Sequence, residues 1–201
     1  MPVEPAADCG MCQRLTGLRK SNAIAWPAWF NAPVPSFGDP QARLLVVGLA
    51  PGLHGANRTG RPFTGDAAGV LLYATLAAHG FTQGEYRADP ADGLVLRDCM
   101  ITNAVRCLPP ENKPSGAEIA NCRRFLTARI AAMPNLRAIL ALGKIAHDSV
   151  AAALGLRPSA AKFAHGARFE PQPGLAMYDS YHCSRYNTNT RRLTAEMFEQ
   201  V

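Results

Sequence analysis

Two groups of residues have types and spacings that suit chemistry. The first is a loop, residues 48–66, reading Gly-Leu-Ala-Pro-Gly-Leu-His-Gly-Ala-Asn-Arg-Thr-Gly-Arg-Pro-Phe-Thr-Gly-Asp. Its glycines permit positive φ and close backbone approach. Arg58 and Arg61 carry charge that suits phosphate, and Asp66 stands where a helix N-cap or a working carboxylate would serve. Loops this long between a strand and a helix usually have a function. The second group is cysteine: Cys9 and Cys12 form a Cys-x2-Cys, and Cys107 and Cys122 are separated by 14 residues. Four thiolates hold either a tetrahedral zinc ion or a [4Fe–4S] cluster, and this spacing alone does not choose between them. A single buried cysteine is commonly just packing, but a Cys-x2-Cys is a poorer match to that reading.

The elements that must position these residues follow from apolar runs. Leu44-Leu45-Val46-Val47 suits a buried parallel strand, and residues 67–79 suit a helix opened by Asp66. Cys99–Val105 reads as a second strand, with Asn103 near its exit; Ser115 caps a helix to about Met133. Leu136–Leu142 is a third strand, turning at Gly143 into a helix through Leu154. A fourth strand, residues 175–180, delivers Tyr181-His182-Cys183-Ser184-Arg185-Tyr186-Asn187, and a last helix begins near Thr190. Residues 1–8 are expected to be loose, and the four prolines of Trp26–Pro40 to wrap the surface. Alternating strands and helices predict an α/β fold whose mainly parallel, four-stranded sheet carries helices on both faces. Loops after its first, second and fourth strands would then meet at one edge, where open α/β sheets hold ligands.

The chain has 201 residues, 48% of them hydrophobic, which suits one domain over residues 1–201. A net charge of +6 and a pI near 9.2 agree with a polyanionic partner without requiring one. No segment suits a signal peptide or a membrane span. A cytoplasmic location is therefore expected, where reduced thiols bind metal more readily than they pair.

The loop resembles the first motif of the uracil-DNA glycosylase superfamily, in the form of its iron–sulfur family 5. Gly-Leu-Ala-Pro, His-Gly, Asn-Arg-Thr-Gly-Arg and Phe-Thr-Gly-Asp all stand in order. His182-x-Ser184-x-x-Asn187 is similar to the second motif, and the four cysteines follow the order seen in families 4 and 5. The resemblance runs from Cys9 to about Thr194. It implies a three-layer α/β/α sandwich, with a [4Fe–4S] cluster on Cys9, Cys12, Cys107 and Cys122 that ties the N-terminal segment to the loop after the second strand. Cys99 and Cys183 match no ligand position.

A glycosylase must unstack a base, read its edge and stabilise a leaving anion beside a cationic sugar. By the resemblance, Phe63 stacks on the flipped base. Asn103, in an Asn-x-x-x-Cys context, reads the base with both donor and acceptor. His182 donates to uracil O2. Asp66 activates water or stabilises the cation, because Leu49 and Ala50 stand where other families keep a polar residue. Ala50, His54 and Asn57 shape the substrate pocket. Arg58, Arg61, Ser184, Arg185 and Asn187, with Arg191 and Arg192, contact DNA, and Tyr186 falls at the wedge position. The implied activity is hydrolytic excision of uracil, extending to hypoxanthine and xanthine, from double- or single-stranded DNA by a monomer. Two rivals stand beside it: a non-catalytic iron–sulfur DNA-binding or redox-sensing protein, and an enzyme of free nucleotides. The latter lacks a Gly-x4-Gly-Lys-Ser/Thr phosphate loop.

Overall fold

Strands whose successive side chains point to opposite faces form the centre of the molecule. The computed structural model describes residues 2–157 and 159–201. In chain order the elements are α1 (Gln13–Ala25), β1 (Phe37–Gly38), β2 (Leu44–Gly48), α2 (Ala56–Thr59), α3 (Ala67–Ala78), β3 (Thr82–Gln83) and β4 (Val95–Leu96). There follow β5 (Cys99–Asn103), α4 (Gly116–Ala131), β6 (Ala138–Leu142), α5 (Lys144–Ala153), β7 (Arg168–Gln172), β8 (Leu175–Ser180), α6 (Arg185–Asn189) and α7 (Ala195–Glu199).

One sheet has the order β1-β5-β2-β6-β8-β7. Its inner strands β5, β2, β6 and β8 are parallel and are the four expected from the sequence. Two antiparallel edge strands extend the sheet to six. β1 is too short to show alternation, and β7 is polar, carries Pro171 and shifts register between Phe169 and Gln172. Proline tolerates only such an edge. A separate ribbon pairs β3 with β4.

Leu45, Val47, Met100, Ile139 and Ala141 point to one face, where Leu126 of α4 and Ala146 and Val150 of α5 cover them. Val46, Cys99, Ile101 and Leu142 point to the other, beneath Leu72, Tyr73 and Leu76 of α3 and Phe198 of α7. The three layers follow from that alternation. The single C-terminal helix expected from about Thr190 is instead two short ones, capped by Ser184 and Thr194.

The N-terminus differs from its expected looseness. Arg106 is almost fully buried, and its guanidinium needs an anion. Glu4 reaches back to supply it at 2.8 Å and also pairs with Arg129. Among the described residues no helix is long and apolar enough to cross a membrane.

Candidate active site and cysteine cavity

The four parallel strands end together at one edge of the sheet, beneath a cleft of about 830 Å3. The glycine-rich loop contributes Ala50, His54 and Asp66 to its lining. The segment after β8 contributes His182, Ser184, Arg185 and Asn187, and Arg192 lies beyond it. A third wall, Leu142 to Ile145 where β6 passes into α5, is not among the loops expected from the sequence to line the site. Its signal was there: Gly143 sits at a strand exit with φ +90°, and a Cβ on it would come 3.4 Å from His182 Cβ. Lys144 pairs with Asp148 one turn along its own helix.

Phe63 and Asn103 are both buried and do not line this cleft themselves; Phe63 reaches it through its contact with His182. The rings of Phe63 and His182 are 5.7 Å apart at 25°. Gly48 makes the grouping feasible, since a Cβ there would meet both Phe63 and Asn103 Oδ1 at 2.5 Å. Phe63 holds a positive φ of 53°, costly for a bulky side chain. The cost is met by neighbours: Tyr86 Oη donates to its carbonyl and Tyr73 Oη to that of Pro62.

Two buried polar atoms beside Phe63, Asn103 Oδ1 and His182 Nδ1, have no hydrogen-bond partner in the protein. Burial brings the His182 pKa down to about 4, so the imidazole is neutral at physiological pH. Asp66 divides its carboxylate. Oδ1 accepts from the N–H groups of Ala68 and Gly69 as the cap of α3. Oδ2 faces the loop, where a Cβ on Gly55 would come within 2.3 Å of it. Burial raises the Asp66 pKa, opposed by those two backbone bonds and by the charge of Arg185.

Two expected site residues do other work. Arg61 is buried rather than facing DNA: it forms a two-pronged pair with Asp92 at 2.7 and 2.8 Å, and donates to Thr64 at 2.7 Å. Its guanidinium lies over the rings of Phe37, Tyr73 and Tyr86. A desolvated arginine on carboxylate and aromatic partners is a structural keystone. Asn57 is also buried, outside the cleft, and donates to Asn31 Oδ1 at 3.0 Å. His54 and Arg58 stay exposed at the rim, with Arg58 Nε donating to the His54 carbonyl. Tyr186 projects from the start of α6, 71% exposed, and Ser184 caps that helix. Asn187 holds the loop by donating to the His182 carbonyl, and Arg192 stacks over Tyr181 at 4.6 Å. Arg191 is exposed with a positive φ, outside the cleft lining.

Away from the cleft, Cys9, Cys12, Cys107 and Cys122 line one small cavity between α1, α4 and the loop after β5. Donors already point at the sulfurs: the Arg106 N–H reaches Cys122 Sγ at 3.3 Å, Arg19 reaches Cys107 and Asn121 reaches Cys12. Among the described residues, no three His, Cys, Asp or Glu side chains close around a single ion. Four soft thiols lining one cavity, with N–H groups aimed at them, are a donor set that suits a thiolate-held metal centre. Cys99 and Cys183 are buried in the α3-side core, away from this cavity.

Comparison with known proteins agrees with this geometry. Residues 35–201 match the family model described as the uracil DNA glycosylase superfamily. A type-5 uracil-DNA glycosylase of Thermus thermophilus is 44% identical over 99% of this chain and 93% of its own length. One from Pyrobaculum aerophilum is 40% identical over 99% and 88%. A type-4 uracil-DNA glycosylase of Sulfurisphaera tokodaii is more distant, 30% identical over 88% and 76%. With the glycine-rich loop, the Asn103–Phe63–His182 group and the four-cysteine cavity in one α/β/α sandwich, the chain belongs to the uracil-DNA glycosylase superfamily, on its type-5 branch.

Proposed function

We propose that this protein is a monofunctional DNA glycosylase that hydrolyses the N-glycosidic bond of deoxyuridine in DNA. The observation that carries the reading is the pair of unpartnered buried atoms, Asn103 Oδ1 and His182 Nδ1, beside the Phe63 ring. Buried polar atoms seek partners, and the edge of a flipped uracil supplies them. Asn103 accepts from N3–H and donates to O4. Neutral His182 donates to O2 as negative charge builds on the leaving base. The C1′–N1 bond breaks with its electrons going to the base. A water adds its oxygen to C1′, and its proton is released. Asp66 Oδ2, freed from capping by the division of labour within its carboxylate, takes that proton or stabilises the cationic sugar. Leu49 and Ala50 bring no polar group, which supports a pocket open to hypoxanthine and xanthine as well.

On the DNA side, Tyr186 fills the space left by the flipped base, and Arg58, Ser184 and Arg185 hold phosphates on both double- and single-stranded substrates. Cys9, Cys12, Cys107 and Cys122 would hold a [4Fe–4S] cluster, which when bound ties the N-terminal segment to α4 and the loop after β5. Duplexes carrying one U·G, U·A, hypoxanthine or xanthine site, treated with alkali after incubation, test the activity. Strand breaks at U·G that weaken in Asn103→Ala and His182→Ala are expected. Tight DNA binding with no base release would overturn the enzyme and favour a binding or sensing protein.

A further inference from the structure

Beside the catalytic cleft runs a second groove of about 600 Å3, whose lining, Arg58 apart, has no part in the glycosylase reading. Trp29, Phe30, Arg58, Arg87 and Asp89 line it. Trp26 stacks on Trp29 with centroids 4.5 Å apart and planes 7° from parallel. Trp29 in turn meets the edge of His54 at 5.5 Å. His54 lines the catalytic cleft, so this aromatic row leads from one groove to the other. Trp26 and Phe30 are 37% and 42% exposed, a large aromatic area for a surface to leave in water.

The row is fastened to the catalytic loop. Phe30 N–H donates to the Arg58 carbonyl and Asn31 N–H to that of Asn57, both at 3.0 Å. Phe30 lies on Gly60, where a Cβ would come 2.7 Å from the ring. Asn31, positive in φ at 46°, sends its amide to the Trp26 carbonyl at 2.8 Å and accepts from Asn57. These hydrogen bonds and ring contacts hold aromatic faces in place beside two cations.

We infer that this groove is a second DNA site, taking a single-stranded segment continuous with the nucleotide in the catalytic cleft. Unpaired bases stack on the Trp and Phe faces, and the phosphates run past Arg58 and Arg87. Exposed aromatics interleaved with cations are the chemistry that holds single strands without regard to sequence. Asp89 is the one acid in the groove and is outnumbered, with one of its oxygens occupied by the Ala91 N–H. The inference rests on the glycosylase reading for the strand's position, though not for its chemistry.

Both tryptophans of the chain lie in this row, so tryptophan fluorescence, excited apart from the five tyrosines, reports on it alone. The holoprotein is titrated with a uracil-free single strand of ~12 nucleotides, and separately with a blunt duplex, while anisotropy of a labelled strand measures total binding. Saturable quenching by the single strand and little by the duplex is expected. Phe30→Ala should weaken single-strand binding about tenfold. Arg87→Gln should lower the slope of log affinity against log salt by about 0.7. Neither should change the single-turnover rate of uracil excision at saturating DNA. Full binding by anisotropy without quenching, or quenching indifferent to both substitutions, would overturn the groove and leave the glycosylase intact. Quenching that behaves as expected in a protein that releases no base would do the reverse.

Discussion

Gly48 and Phe63 are packed so closely that a single methyl group on the glycine would lie 2.5 Å from the ring tip and equally close to Asn103 Oδ1. Gly48 is the last residue of β2, in register with Asn103 at the end of β5. The missing side chain is therefore what lets the ring proposed to stack on the base and the amide proposed to read it pack side by side. Gly48→Ala must displace one or the other. Overpacking of this kind costs about 1–3 kcal/mol, and uracil excision should fall by at least an order of magnitude. Thermal unfolding and single-turnover rates on one U·G duplex check both.

The split carboxylate of Asp66 allows its two roles to be separated. Asparagine caps helices as well as aspartate does, whereas alanine costs about 1 kcal/mol at such a position. Asp66→Asn should leave stability nearly unchanged and remove most of the excision rate; Asp66→Ala should lose both. Denaturant titration beside single-turnover kinetics gives the comparison. Equal rates for wild type and Asp66→Asn would confine Asp66 to capping.

The half-buried His182, with its Nδ1 out of reach of water, makes stability depend on pH. An unfolded histidine takes up a proton near pH 6.5, but in the folded chain burial delays it to about 4. Between those values the unfolded state binds the extra proton, so this contribution is whole above pH 6.5 and is lost as pH falls toward 4. The slope is at most about 1.4 kcal/mol per pH unit. Asp66, raised by burial, acts in the opposite direction in acid, so the informative quantity is the difference between wild type and His182→Gln. That difference in unfolding free energy should shrink steadily from pH 7 to pH 5 if His182 carries the effect.

Arg61 and Arg58 should behave oppositely although they are three residues apart. Removing one partner of a buried ion pair costs about 3–5 kcal/mol, so Arg61→Gln should lower the melting temperature sharply. It should also let the Phe63 turn relax, since Arg61 lies against the two tyrosines that hold it. Arg58→Gln should leave melting unchanged and weaken DNA binding, more at low salt than at high. Paired thermal melts and salt titrations distinguish these outcomes.

Substituting Cys122 by serine should abolish the visible absorbance of the proposed cluster and loosen the N-terminal segment, because Cys9 and Cys12 line the same cavity as Cys107 and Cys122. Limited proteolysis should then cut ahead of α1 in the variant but not in the wild type. Glu4 should keep part of its hold through Arg106, so the loss falls short of global unfolding.

Much of this protein is written locally. The four parallel strands are legible because buried strands are apolar runs, and the helix caps because Asp66 and Ser115 stand directly ahead of them. The motif residues were nameable for the same reason: glycine-rich turns and a Cys-x2-Cys declare themselves over a few positions. The edge strands were not legible, since β1 is two residues long and β7 offers the core only Phe169 and a proline among polar residues. Charge was the least legible property. Arg58 and Arg61 look alike in sequence, yet Asp92, thirty-one positions away, takes Arg61 into the interior and leaves Arg58 at the rim. Asn57 was likewise claimed by Asn31, and the supposedly loose Glu4 by Arg106. A buried polar group must find its partner wherever the fold provides one, and only the three-dimensional packing determines which partner that is.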